Sequence, residues 1–173
     1  MEILDLYTAD GKPSGLTVKR GERVPHGYYL MLVSVLTKNS AGQMLLTRRA
    51  KEKKYAGRWE ITGGCVQAGE TARQGAVREL SEETGILVTE KELIPRGWAM
   101  RADYIHAFFE VHRDVPAEQI RLQPGETDSA RWVGPAEFLQ LSEQHETVPH
   151  HTQMILSHYP ALFKECGSTR SNI

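Results

Sequence analysis

The 23 residues from Gly64 to Ile86, GCVQAGETARQGAVRELSEETGI, decide how this chain folds and what chemistry it can carry. Thr71 with Gln74 three residues on is a capping-box start, and Gly85 stands where a left-handed residue closes a helix. The spacing therefore predicts a helix over 71–84. At about 100° per residue, Ala72, Ala76, Val77 and Leu80 fall on one stripe roughly 140° wide. Glu83 lies inside that stripe, Glu79 just outside its Ala72 edge, and Glu82 further round, with Arg78 four residues before Glu82. Two carboxylates one turn apart, at the border of a face that must be buried, are costly as bare charges. A divalent metal suits such a pair. Carboxylate oxygens are hard ligands, and Mg²⁺ takes one or two of them together with waters and phosphate oxygens.

Taken alone, Glu-x-x-Glu-Glu on a helix reads as a solvated face. The wider constellation decides otherwise. Gly64, Glu70, Arg78-Glu79, Leu80, Glu82-Glu83, Gly85 and Ile86 fit G-x5-E-x7-R-E-U-x-E-E-x-G-U, U being a bulky apolar residue, at every specified place. With typical usage of roughly 5–7% per specified residue, a chance match in this length is on the order of 10⁻⁷. The stretch closely resembles the signature of the Nudix family. The approach from Ala56 to Gly64 (AGRWEITGG) is similar to that family's Gly-x-Trp…Gly-Gly lead-in, with Thr62 where Pro is commoner. A looser likeness extends from about Tyr28 to Leu141.

The resemblance implies an α/β fold, an α/β/α sandwich around a mixed β-sheet. It also implies a hydrolase acting on a diphosphate bond in a nucleoside diphosphate linked to another moiety X, with Mg²⁺ or Mn²⁺. In the family the metal sits on the carboxylates matching Glu79 and Glu83, with Glu82 nearby, and often on a backbone carbonyl at Gly63 or Gly64. The physical logic agrees: an anionic site repels a diphosphate, so a metal must bridge carboxylates to phosphate oxygens, and it also acidifies a bound water. Arg78 then fixes a glutamate by a bidentate pair rather than touching substrate. The resemblance places a general base in the loop before a late strand. There Glu126 is the first choice and Asp128 the second, while Glu79 or Glu83 can serve instead. Arg48 and Arg49, ending a strand, are candidates with Gly64 for holding substrate phosphates. The plainer reading of that region is a basic surface loop shared with Lys51, Lys53, Lys54 and Arg58.

Two other readings stand beside the hydrolase. Isopentenyl diphosphate isomerases share the fold, but their chemistry needs a cysteine and a histidine-containing metal site. Gly63, Gly64 and Val66 occupy those places here, with Cys65 adjacent. A non-catalytic nucleotide-binding module is the third reading, against which the intact carboxylates argue. His145-Glu-Thr-Val-Pro149-His150 misses the zinc-protease spacing by one residue, and Pro149 breaks any helix holding both histidines.

Outward from the box, the remaining elements follow from patterning. Ile3–Tyr7 and Leu16–Lys19 flank Asp10-Gly11, a hairpin signal. Tyr28–Leu36 and Gln43–Thr47 flank Lys38–Gly42 and read as a second hairpin. Gly97–Met100, Ile105–Val111 and Ala130–Val133 are further strands, and a helix starts at Pro135. Apolar residues recurring from Met154 to Phe163 predict a helix over 149–164. The organisation expected is an N-terminal hairpin extension over 1–27, a Nudix hydrolase domain over 28–166 and a polar tail over 167–173.

Composition sets the outer limits. The chain has 173 residues, a net charge of −1 and 25% charged residues, the make-up of one globular domain. That charge argues against a dedicated nucleic-acid binder. Two cysteines make no disulfide scaffold, and the opening MEILDLYTADGK has no apolar core that would make it a secretory leader. No apolar run reaches membrane-span length. The expectation is a cytoplasmic enzyme acting on a small phosphorylated molecule, with a homodimer possible through the N-terminal hairpin.

Overall fold

The computed structural model describes residues 2–163. Along them run β1 (Ile3–Tyr7), β2 (Pro13–Lys19), β3 (Leu30–Lys38), β4 (Met44–Arg49), β5 (Trp59–Glu60), β6 (Thr62–Cys65), α1 (Ala72–Thr84), β7 (Ile94–Met100), β8 (Tyr104–His112), β9 (Thr127–Val133), α2 (Pro135–Glu143) and α3 (Pro149–His158). The fold is of the α/β class. By contact density the chain divides into two compact units. Met1–Val35, Gly63–Glu82 and Leu87–Val111 form the first, and Leu36–Thr62, Glu83–Ile86 and His112–Ile173 the second.

In the first unit, β1 and β2 form an antiparallel hairpin with Ile3 opposite Lys19 and Tyr7 opposite Pro13. Gly11 supplies the left-handed residue of its turn, at φ +77°. β6 and β8 pair with β3, and β7 pairs antiparallel with β8. Leu4, Leu6, Val33, Ile105 and Phe108 of these strands are buried, as are Ala76 and Leu80 of α1, and β8 and β3 are buried over continuous runs. In the second unit, β4 lies antiparallel to β5, to β9 and to the end of β3. A parallel bridge joins Trp59 to Thr147. Phe138 and Leu141 of α2, and Met154 and Ile155 of α3, are buried in the core of this unit.

The structure adjusts several sequence expectations. α1 begins at Ala72 with Thr71 as its cap, and the reciprocal box is present: Thr71 N–H donates to Gln74 Oε1 (2.8 Å) and Gln74 N–H to Thr71 Oγ1 (3.2 Å). Gly85 closes it at φ +71°, with Ile86 buried behind. α3 stops at His158 rather than running on, because Pro160 lacks the N–H a continuing helix needs. Pro160–Phe163 forms a 3-10 turn instead, and Lys164, Cys166 and the tail lie outside the described residues. β9 starts at Thr127, three residues early, so Asp128 belongs to a strand and not to a loop. The two short strands β5 and β6 carry no apolar alternation, and patterning missed them.

Candidate active site

Arg78 organises the first unit's share of the box. Its Nε and Nη2 hold Glu70 as a bidentate pair at 2.8 and 3.0 Å, and Nη2 also donates to the Cys65 carbonyl at 2.9 Å. Its Nη1 reaches Glu79 Oε1 at 2.9 Å and Glu82 Oε2 at 3.1 Å. One guanidinium thus ties the helix to the loop before it and gathers three carboxylates. The bidentate partner is Glu70, which spacing alone did not identify. Glu70 in turn accepts the Gln67 N–H at 2.9 Å. Burial draws the Glu70 carboxyl upward, but its bonds to Arg78 and Gln67 outweigh that and hold it below the usual range.

Glu79 behaves differently. It is buried, and desolvation raises its carboxyl above the ordinary value although Arg78 pulls the other way. Glu82 adds a repulsive charge in the same direction as the burial. Gly64 is packed directly over it: a Cβ built on Gly64 would stand 2.3 Å from Glu79 Oε1 and 2.6 Å from Oε2. A Cβ on Gly63 would strike the Val33 carbonyl at 2.4 Å. Gly64 therefore lets the backbone lie against a carboxylate, and Gly63 lets it lie against β3. Cys65 has its thiol pushed up by burial, away from the thiolate that isomerase-type proton chemistry would use. Glu83 stands on the last turn of α1, four residues beyond Glu79, and is buried as well. Among the described residues, no three Asp, Glu, His or Cys side chains converge closely enough to hold a metal as they stand.

The second unit holds a cluster that the sequence did not reveal. Glu60 is buried in β5, and its Oε1 accepts from Arg49 Nη1 at 2.5 Å. His151 Nδ1 of α3 lies 3.4 Å from Glu60 Oε2. Burial dominates and pushes the Glu60 carboxyl up to about 7, against the pull of Arg49 and Lys53. A signal for His151 was available, since it precedes the buried Met154 and Ile155 by three and four positions. None existed for Glu60, a charged residue between Trp59 and Ile61.

Arg49 and Arg48 also differ from expectation. Arg49 Nε donates to the Lys54 carbonyl at 2.6 Å, and Arg48 Nε to the Gly57 carbonyl at 3.0 Å, so both arginines staple the 50–58 loop to β4. Glu126, in the turn before β9, is ion-paired with Lys53 of that loop. Its backbone carbonyl accepts the Ala50 N–H at 3.0 Å. Trp59 packs beneath the Arg131 guanidinium, 4.3 Å from its ring centroid.

Comparison with known proteins gives the family and the fold. The NUDIX domain model matches residues 29–155. An uncharacterized Nudix hydrolase of Listeria monocytogenes is 30% identical over 159 residues, spanning 87% of this chain and 90% of its own. The CTP pyrophosphohydrolase of Escherichia coli is 37% identical over 102 residues, 57% of this chain and 72% of that protein. The crystal structure of a Deinococcus radiodurans protein, 19% identical, covers 91% of this chain and 99% of its own with a TM-score of 0.75. The two share a fold. No helix among the described residues is long and apolar enough to cross a membrane.

Proposed function

The chain belongs to the Nudix family of hydrolases of nucleoside diphosphate derivatives, and from that premise we propose a specific division of labour at its box. Glu79, Glu83 and Glu82 hold a divalent cation, Mg²⁺ or Mn²⁺, for cleavage of the diphosphate bond in a nucleoside diphosphate linked to a moiety X. Family members generally use such a metal. When bound, it polarises the phosphoryl oxygens and acidifies the attacking water.

The observation that carries this reading is the packing of Gly64 on Glu79. A side chain there would fill the space beside the carboxylate, and the carboxylate sits buried with its charge only partly answered by Arg78. Oxygen donors alone, on one helix face, fit a hard cation. Arg78 acts through the glutamates: it keeps Glu79 and Glu82 on the helix face while Glu70 and the Cys65 carbonyl fix the arginine itself. Glu126 receives the proton of the attacking water in this scheme, once it leaves Lys53. Arg48 and Arg49 face substrate phosphates with whatever donors the 50–58 loop leaves them. Ile3 and Leu16, exposed on the N-terminal hairpin, support pairing of two copies there.

The test is a screen of nucleoside triphosphates, nucleoside diphosphate sugars, dinucleoside polyphosphates and nucleotide cofactors, with Mg²⁺, with Mn²⁺ and with chelator. Metal-dependent release of a nucleotide product from at least one class is expected. Conversion of isopentenyl diphosphate to its isomer, with no member of the panel cleaved, would contradict the hydrolase reading.

A further inference from the structure

A cavity lies in the second unit, and no residue of α1 lines it. Its volume is about 400 Å³, within the range of small-ligand sites. Arg58, Ser142, His145, Thr147, Thr152 and Gln153 supply its polar lining, and the rest is apolar. Among the described residues no carboxylate lines it, although Glu143 and Glu146 flank His145 in the chain. A pocket whose charged member is arginine, and whose other members offer N–H and O–H groups, is matched to a phosphate dianion.

The Arg58 guanidinium that lines the pocket is oriented by a ring and keeps donors to spare. Arg58 lies over the Tyr55 ring, 5.5 Å from the centroid, and its guanidinium makes a long contact of 3.4 Å from Nη1 to the Thr147 carbonyl. Cation–π stacking orients a guanidinium while leaving its in-plane donors for another partner. The backbone points the same way. Among the described residues only Tyr55 and His145 are non-glycine residues with positive φ, at 60° and 58°. One carries the ring beneath Arg58 and the other lines the cavity, and unfavourable backbone of this kind gathers at ligand sites. The pocket runs along one side of α3, from Pro149 through Thr152 and Gln153 to Leu156, and the first turn of that helix carries no acidic residue.

We propose that this pocket binds a phosphate monoester dianion, either inorganic phosphate or the terminal phosphate of a nucleotide, through Arg58 and His145. The proposal does not depend on the metal-site reading. Its test is titration calorimetry in chelator, using inorganic phosphate and GMP as probes, on wild type, Arg58→Gln, Arg58→Lys and Gln153→Glu. Gln153 is exposed, so a variant that introduces a negative charge there tests the pocket without threatening the core. Expected is a saturable site weakened at least tenfold by Arg58→Gln and by Gln153→Glu, less by Arg58→Lys, and unchanged by Glu79→Gln. Tighter binding of GMP than of phosphate, with the same Arg58 dependence, identifies a nucleotide end as the ligand; equal binding identifies free phosphate. Absence of a saturable site, equal affinity in Arg58→Gln and wild type, or loss in Glu79→Gln alone would overturn the assignment.

Discussion

At Gly64 the absence of one carbon decides whether Glu79 can lie where it does. Alanine there would set its Cβ against both oxygens of the carboxylate, so the end of the Glu79 side chain must swing away and give up its 2.9 Å bond to Arg78. Overpacking of this kind costs about 1–3 kcal/mol. Gly64→Ala should therefore lower the melting temperature modestly and displace Glu79, cutting metal-dependent turnover on the order of 10²-fold. Turnover within a factor of two of wild type would show that Glu79 need not stay in place. Glu60 carries a different prediction. Its carboxyl is pushed up to about 7 in the fold, whereas in an unfolded chain it titrates near about 4.3. The folded state therefore binds this proton more tightly. The stability it contributes is complete below the unfolded value and is lost as pH rises through about 7. Glu60→Gln cannot titrate, so its melting temperature should gain on that of wild type between pH 5 and 7.5. A constant difference across that range, by calorimetry, would count against the buried Arg49–Glu60–His151 arrangement.

Among the elements, α1 was the most legible and the reason is chemical. Caps are local: Thr71, Gln74 and Gly85 specify both ends through bonds within a few residues of themselves, and each is made in the structure. Thr71→Ala should cost about 1 kcal/mol, the usual weight of an N-cap, read as a fall in denaturant midpoint with unchanged slope. A loss below about 0.3 kcal/mol would mean that packing rather than the cap sets the start of α1. Edges set by partners were less legible. β9 gains its first residues only because β4 offers Arg49 opposite Thr127 and Arg48 opposite Ser129, with Asp128 left in the bulge between, and no residue near Thr127 announces that pairing. β5 is two residues long and exists by its ladder to β4. The end of α3 was misplaced through periodicity: Leu162 and Phe163 continue the apolar pattern past Pro160, and the backbone chemistry of proline prevails over it.

On the scale of the whole molecule, the α/β class and the family were readable from one 23-residue window, because the carboxylates, the glycines and the helix caps all constrain the same stretch. Contacts between distant segments were not readable in this way. The pairing of Glu60 with Arg49 and His151, and of Lys53 with Glu126, joins residues that only the folded chain brings together. The central claim is that Glu79 and Glu83, one turn apart on α1, hold the metal through which a diphosphate is cleaved. Its most direct test is Mg²⁺-dependent hydrolysis by Glu79→Gln and Glu83→Gln on the best substrate of the panel, with melting temperatures taken with and without Mg²⁺. Glutamine keeps size and hydrogen bonding and removes the charge. The account predicts a loss of about 10²-fold or more in turnover for each variant, about 2.7 kcal/mol. It also predicts an intact fold without metal and a smaller Mg²⁺-induced rise in melting temperature than in wild type. Near-normal turnover in both variants would contradict it.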